Sequence, residues 1–241
     1  MTAIMCHLRV AASGGAVRLK RLYCWTVPTA EDFAAFLNLF HQLCANHLAD
    51  GGAFYSCIDW RSVDLIMAAG RLAGLRHTNT IIWNKGSGSM GGAPYRSAHE
   101  LIVMFVKGKL AVNNVEMGKH GRDRTNVWSY PGANHPGSSA SKALAYHPTP
   151  KPVEMVEDAL KDVSKRGALV LDVFLGSGTT ILAAERSGRR ACCIELDPAY
   201  VDVAIRRWEE MTGKEAVHAA SGMTFAQMAS ERAISNQQMA A

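Results

Sequence analysis

In LDVFLGSGTT, residues 171 to 180, an apolar strand runs into Gly176-Ser177-Gly178 and then two threonines, and a carboxylate, Glu195, stands seventeen residues beyond Gly178. Backbone N–H groups exposed at a helix start bind anions, so the first reading of such a turn is a phosphate cradle. The residues oppose it. A P-loop needs Gly-Lys-Ser/Thr, whereas Gly178 leads into Thr179-Thr180-Ile181 with no lysine. A dinucleotide turn wants a third glycine where Ile181 stands, which weakens that reading without excluding it. A nucleophilic serine elbow needs a residue between the serine and each glycine, and Ser177 has glycine directly on both sides. What is left is a cofactor with a nucleoside and a charged amino-acid end but no phosphate. Gly176 and Gly178 would let the backbone approach it, and Glu195 could accept hydrogen bonds from both ribose hydroxyls, a geometry common to dinucleotide and S-adenosylmethionine sites. The turn alone fits equally well a plain strand–helix connection with a surface glutamate.

The elements that must hold this turn are legible around it. KPVEMVEDALKDVSKRG places Val153, Val156, Ala159, Leu160 and Val163 on one helical face, with Pro152 suited to a first turn and Gly167 to a stop. ALVLDVF (168–174) is the near-continuous apolar run of a parallel strand covered on both faces. TTILAAERSG reads as a helix, RRACCIE as a second strand, and DPAYVDVAIRRWEEMTG as a helix with Asp197 as N-cap and Pro198 in its first turn. Upstream, TAEDFAAFLNLFHQLCANHLADGG and residues 61–73 read as helices. AFYSCI, HTNTIIWNK and HELIVMFVKGK read as strands, the last two separated by the glycine-rich GSGSMGGAPYRSA. Residues 110–146 show little periodicity and read as a loop-rich insert; the Ala-, Ser- and Gln-rich tail after about 214 reads as weakly helical. The alternation predicts a single doubly wound, mostly parallel α/β sheet with the glycine turn at its carboxyl edge, where such sheets bind ligands.

With 241 residues and 48% hydrophobic content the chain can bury a sizeable core, and a formal charge of +5 permits an anionic partner without establishing one. Its six cysteines have no metal-ligand spacing and read as reduced thiols. No stretch approaches the roughly 20 apolar residues of a membrane span, so a soluble cytoplasmic protein is expected.

HPTPKP (147–152), LDVFLGSGTT and IELDPAY, in that order, resemble the amino-methylating DNA methyltransferases, which place the methyl of S-adenosylmethionine on adenine N6 or cytosine N4. The order is that of a permuted subgroup in which the catalytic and target-reading segments come first. IIWNK followed by YRSAHELIVMFVKG, and NVWSYPG, also look like family segments, so the resemblance covers about residues 29–212. It implies a Rossmann-like S-adenosylmethionine-dependent fold and double-stranded DNA with a flipped target base as partner. Asp172, Phe174, Gly176, Gly178 and Thr179 would line the cofactor, Glu195 would hold its ribose, and His147, Thr149 and Lys151 would close over its methionine end. Val173 stands where proline is usual. KHGRDRT packs Lys119, His120, Arg122 and Arg124 into the insert where the family reads its target, so Lys119, Arg122 and Arg124, with Arg96, are expected on DNA. His99 and Glu100 fit equally a loop-positioning role and a strand cap. The tryptophans, Trp60 among them, read as packing residues.

The family activates the amine with an Asp/Asn/Ser-Pro-Pro-Tyr/Phe tetrapeptide, whose polar groups accept the amine hydrogens while the aromatic stacks on the base. Residues 1–28 contain none, and DPAY, 197–200, reads as a helix cap. No catalytic residue can therefore be named. The N-terminus is expected to be divergent or truncated and methyl transfer severely impaired. The sheet is expected to lack its central strand unless AIMCHLRVAA substitutes for it. The alternatives are a DNA methyltransferase, most simply adenine N6, and an impaired remnant that binds DNA and cofactor; a nicotinamide-dependent oxidoreductase is a distant third.

Overall fold

Apolar spacing and local caps set the helices. In the computed structural model, which describes residues 3–7, 29–88, 94–142 and 150–239, helix α1 (Ala30–His47) begins where the Thr29 hydroxyl accepts the Asp32 N–H. Its Phe33, Leu37, Phe40 and Cys44, spaced three or four apart, are buried. Strand β2 (Ala53–Ile58) is buried along its whole length. There follow α2 (Val63–Leu72), β3 (Arg76–Asn84), β4 (His99–Val106), β5 (Val127–Ser129) and the short α3 (Ser139–Lys142). Then come α4 (Val153–Val163), β6 (Leu169–Asp172), α5 (Thr179–Ser187), β7 (Arg190–Cys193), α6 (Pro198–Thr212) and α7 (Phe225–Met239).

The strands form one seven-stranded sheet in the order β5-β3-β4-β2-β1-β6-β7, where β1 is Ala3–His7. Only β4 runs against its neighbours; the other pairings are parallel. β6 and β7 are adjacent and parallel, with Leu171 level with Cys192, as the alternation predicts. One face carries Phe54, Ile58, Val103 and Phe105 against α1 and α2; the other carries Tyr55, Cys57, Ile102 and Met104 in the core that includes α4 and α5 residues. This three-layer arrangement is the doubly wound α/β fold.

The substitute strand expected from AIMCHLRVAA is present: β1 lies between β2 and β6, with Met5 level with Tyr55 on one side and Asp172 on the other. An unrelated sequence suffices there because both neighbours offer a complete row of backbone donors and acceptors. The insert is also less irregular than its composition implies, since β5 extends the sheet beside β3. In the tail, residues 226–233 of α7 are largely exposed, with Arg206 over the Phe225 ring. Among the described residues no helix is long and apolar enough to cross a membrane.

Because β1 is paired on both sides, a proline within it would remove a ladder bond from the centre of the sheet. Met5→Pro is expected to cost about 3 kcal/mol or more, measured as a lower urea midpoint. An unchanged midpoint would show that β1 does not support the sheet.

Candidate cofactor and target site

At the carboxyl end of β6 the chain turns at Gly176 and Gly178, whose φ angles of 56° and 89° lie in the left-handed region that glycine tolerates. Gly178 is fixed twice, since a Cβ there would lie 2.8 Å from that of Ala204 on α6. From the same helix Arg207 donates to the carbonyl and hydroxyl of Ser177 and pins the turn.

Two carboxylates take up the donors of this turn. Asp172, fully buried, accepts the Phe174 N–H at 3.0 Å and the Thr180 hydroxyl at 2.6 Å. Glu195, just past β7, accepts the Gly176 N–H at 2.7 Å through one oxygen and the Asp197 N–H at 3.0 Å through the other. An ionised carboxylate offers about four lone-pair sites, so Glu195 is oriented and still able to accept hydroxyl donors. Beside it Ile194 and Leu196 are 60% and 75% exposed, an apolar border to a polar anchor. Asp197 caps α6 through the Ala199 N–H, as the DPAY reading expects.

The other residues read as cofactor contacts are placed less uniformly. Thr179 lies at the turn, its hydroxyl 3.5 Å from the Lys151 carbonyl. The Phe174 ring packs on Phe36 and Phe40 of α1, with centroids at 6.3 and 5.3 Å, so its side chain serves the core. Lys151 is held by an acid. Its buried ammonium lies 3.2 Å from Glu100, and Lys85 reaches the other oxygen of Glu100 at 2.9 Å, so Lys151 meets the turn through its backbone carbonyl instead of its charge. Burial would raise the pKa of Glu100, but Lys151 and Lys85 together hold it down to about 2. Burial would lower that of Lys151, and Glu100 more than offsets it. This buried ion cluster joins the ends of β3 and β4 to the segment entering α4. His147 and Thr149 lie outside the described residues.

The arginines of the basic cluster in the insert are also paired with acids. Arg122 donates to Asp162 at 2.8 Å and to Asp158 at 3.3 Å, and Arg124 donates to Asp162 at 2.6 Å while stacking 4.4 Å from the Trp128 centroid. Tyr130 completes the network by donating to Asp158 at 2.6 Å. These arginines clamp the insert to α4, because Asp158 and Asp162 stand four apart on one helical face. Lys119 is exposed beside Glu116, and Arg96 is exposed in the loop that enters β4. The Arg207 contact and the Glu100 cluster join residues remote in sequence and have no local signal; the acid pair on α4 was visible as i, i+4 spacing. Among the described residues no group of three or more His, Cys, Asp or Glu could hold a metal.

A family model described as DNA methylase matches residues 27–206. The chain is 28% identical over 149 residues to the type II methyltransferase M.ScaI of Streptomyces caespitosus, which covers 54% of this chain and 49% of that one. It spans about half the length of the curated relatives it matches. Its fold superposes on the M1.HpyAVI–SAM complex with a TM-score of 0.63 at 20% identity, over 86% of this chain and 88% of the other. PvuII DNA methyltransferase (cytosine-N4-specific) gives a TM-score of 0.63 at 16% identity, over 86% and 79%.

Burial pushes the Asp172 carboxyl up to about 6, although Thr180, the Phe174 N–H and Lys151 hold it down in part. Between about pH 4 and 6 the folded protein binds a proton that the unfolded chain has released. Stability therefore falls as pH rises through this window, and the ionised group is a standing cost above it. Asp172→Asn is expected to stabilise the ligand-free protein at pH 7.5 by about 1–3 kcal/mol, a gain that vanishes near pH 4. Urea midpoints at the two pH values test this, and a variant less stable than wild type at pH 7.5 would show that the hydrogen bonds outweigh burial.

Proposed function

The chain belongs to the N6/N4 DNA methylase family, and from that premise we propose that it binds S-adenosylmethionine at the Gly176–Gly178 turn and methylates an exocyclic amine of a base in double-stranded DNA, adenine N6 in the first instance. One observation carries the cofactor reading. The Gly176 N–H, which a phosphate cradle would offer to its ligand, is already held by the Glu195 carboxylate. A fixed negative charge in that place repels phosphate and suits neutral hydroxyl donors. Glu195 then accepts from the ribose, Leu196 and Ile194 border the adenine, and Asp172 supplies negative charge toward the amino-acid end.

When bound, S-adenosylmethionine would supply an electrophilic methyl group, its sulfonium–carbon bond breaking to leave the thioether as the amine nitrogen takes the methyl and loses a proton. An amine inside a duplex is out of reach, so the target base is turned out of the stack toward the carboxyl edge. Of the basic residues read as DNA contacts, exposed Lys119 and Arg96 are the ones available to phosphates, whereas Arg122 and Arg124 are committed to α4. A second reading, a remnant that binds cofactor and DNA without turnover, is favoured by one fact: the sequence contains no Pro-Pro pair, and so no family tetrapeptide.

Calorimetry with S-adenosylhomocysteine is expected to show binding that Glu195→Ala weakens about 10-fold or more, the scale of a hydrogen bond to a charged group. NADH is expected not to bind. Equal affinity of the two proteins would remove Glu195 from the site. Tritiated methyl incorporation into unmethylated DNA, followed by nucleoside analysis, separates N6-methyladenine from N4-methylcytosine. Cofactor binding without incorporation would favour the remnant.

A further inference from the structure

Trp60 is the described tryptophan whose ring is not packed away. It is 55% exposed, whereas Trp83 and Trp128 are 3% and 6% exposed and Trp208 is half-buried. A single exposed apolar side chain is ordinary in itself. Its place is not ordinary. β2 ends at Ile58, so Asp59, Trp60 and Arg61 project from the carboxyl edge of the sheet directly beside β1, where His7 is level with Cys57. β1 in turn lies next to β6, whose end carries the glycine turn. β2, which Trp60 follows, is thus two strand spacings, about 10 Å, from the cofactor strand.

The local structure holds this ring out. The Asp59 carboxylate accepts the backbone N–H of Arg61 at 2.9 Å and its guanidinium at 3.3 Å, and the guanidinium carbon sits 5.2 Å from the Trp60 centroid. Arginine takes one face of the indole and more than half of the side chain stays open to solvent. An aromatic followed by arginine recurs on the same edge, where Tyr95 is 93% exposed and is followed by exposed Arg96. Exposed rings interleaved with guanidinium groups are the surface that binds unstacked nucleotides, since the ring accepts a base face and the cation the adjoining phosphate.

We propose that Trp60 is the platform on which an unstacked base of the DNA substrate rests, with Arg61 at its phosphate; this rests on the DNA reading above. The indole offers this edge a stacking surface for the base. Its contact is with the base and not with the cofactor, so its loss spares cofactor binding.

The test uses the full chain saturated with S-adenosylhomocysteine and a fluorescent mixed-sequence single-stranded 20-nucleotide DNA, with affinity read by anisotropy. Trp60→Ala is expected to weaken binding roughly 5- to 100-fold, the scale of one base–aromatic stack. Trp60→Phe is expected to stay within about 3-fold of wild type, because phenylalanine keeps a stacking face. Calorimetry with S-adenosylhomocysteine is expected to be unchanged in both variants. Unaltered DNA affinity in Trp60→Ala, an equal loss in Trp60→Phe, or a larger loss in Tyr95→Ala overturns the assignment. A wild-type chain that binds cofactor but no DNA defeats the DNA reading itself, and this inference with it.

Discussion

The arrangement of the site depends on parallel pairing at the middle of the sheet. β2, β4, β3 and β5 form one block and β6 with β7 another, and β1 joins them, pairing with β2 through Ala3–His7 and with β6 through Ala3, Ile4 and Met5. Two exposed strand edges would otherwise face each other, each with a row of unpaired backbone groups. The pairing sets the register as well as the continuity. Met5 level with Tyr55 and Asp172 brings the end of β2, the glycine turn after β6 and Glu195 after β7 to one edge. β4 contributes to that edge because it runs the other way, so that Glu100 stands at its beginning on a strand and not on a flexible loop.

Charge is used in this protein chiefly to fasten segments to one another. Asp172 and Glu195 satisfy backbone donors of the turn, Glu100 joins Lys85 to Lys151, and Asp162 receives two arginines. Buried ion pairs are costly to assemble and costly to break singly, so they fix geometry more than they add stability. The excess of positive charge in the composition is for this reason a poor guide to the surface. Some of the most basic sequence in the chain is neutralised by α4.

What was legible in the sequence follows the range of the interactions. The run from Val153 to Thr212 could be read because its signals are local: helical spacing on α4, glycines where φ is positive, Asp197 and Pro198 at a helix start. Its family motifs could be read for the same reason. The partner of Arg124 lies 38 residues away and that of Lys151 lies on another strand, and neither is encoded in nearby spacing. β5 is three residues long, too short for periodicity to mark. β1 is set by the vacancy its neighbours create more than by its own pattern. Trp60 was read as packing because composition makes a tryptophan apolar, and only its place past the end of β2 shows it more than half exposed.

The clamp between the insert and α4 bears on how the protein comes apart. Irregular, loop-rich segments are ordinarily the first to open, and proteases find them there. Here Arg122, Arg124 and Tyr130 are bonded to a helix whose apolar face lies in the main core, and Asn114 adds bonds to the carbonyls of Lys161 and Ser164. The insert cannot peel away without breaking a partly buried charge network centred on Asp162. Cleavage between Asn114 and Tyr130 should therefore follow the global unfolding equilibrium, falling and rising with denaturant as the whole domain does. By that measure an irregular segment shares the cooperativity of the core.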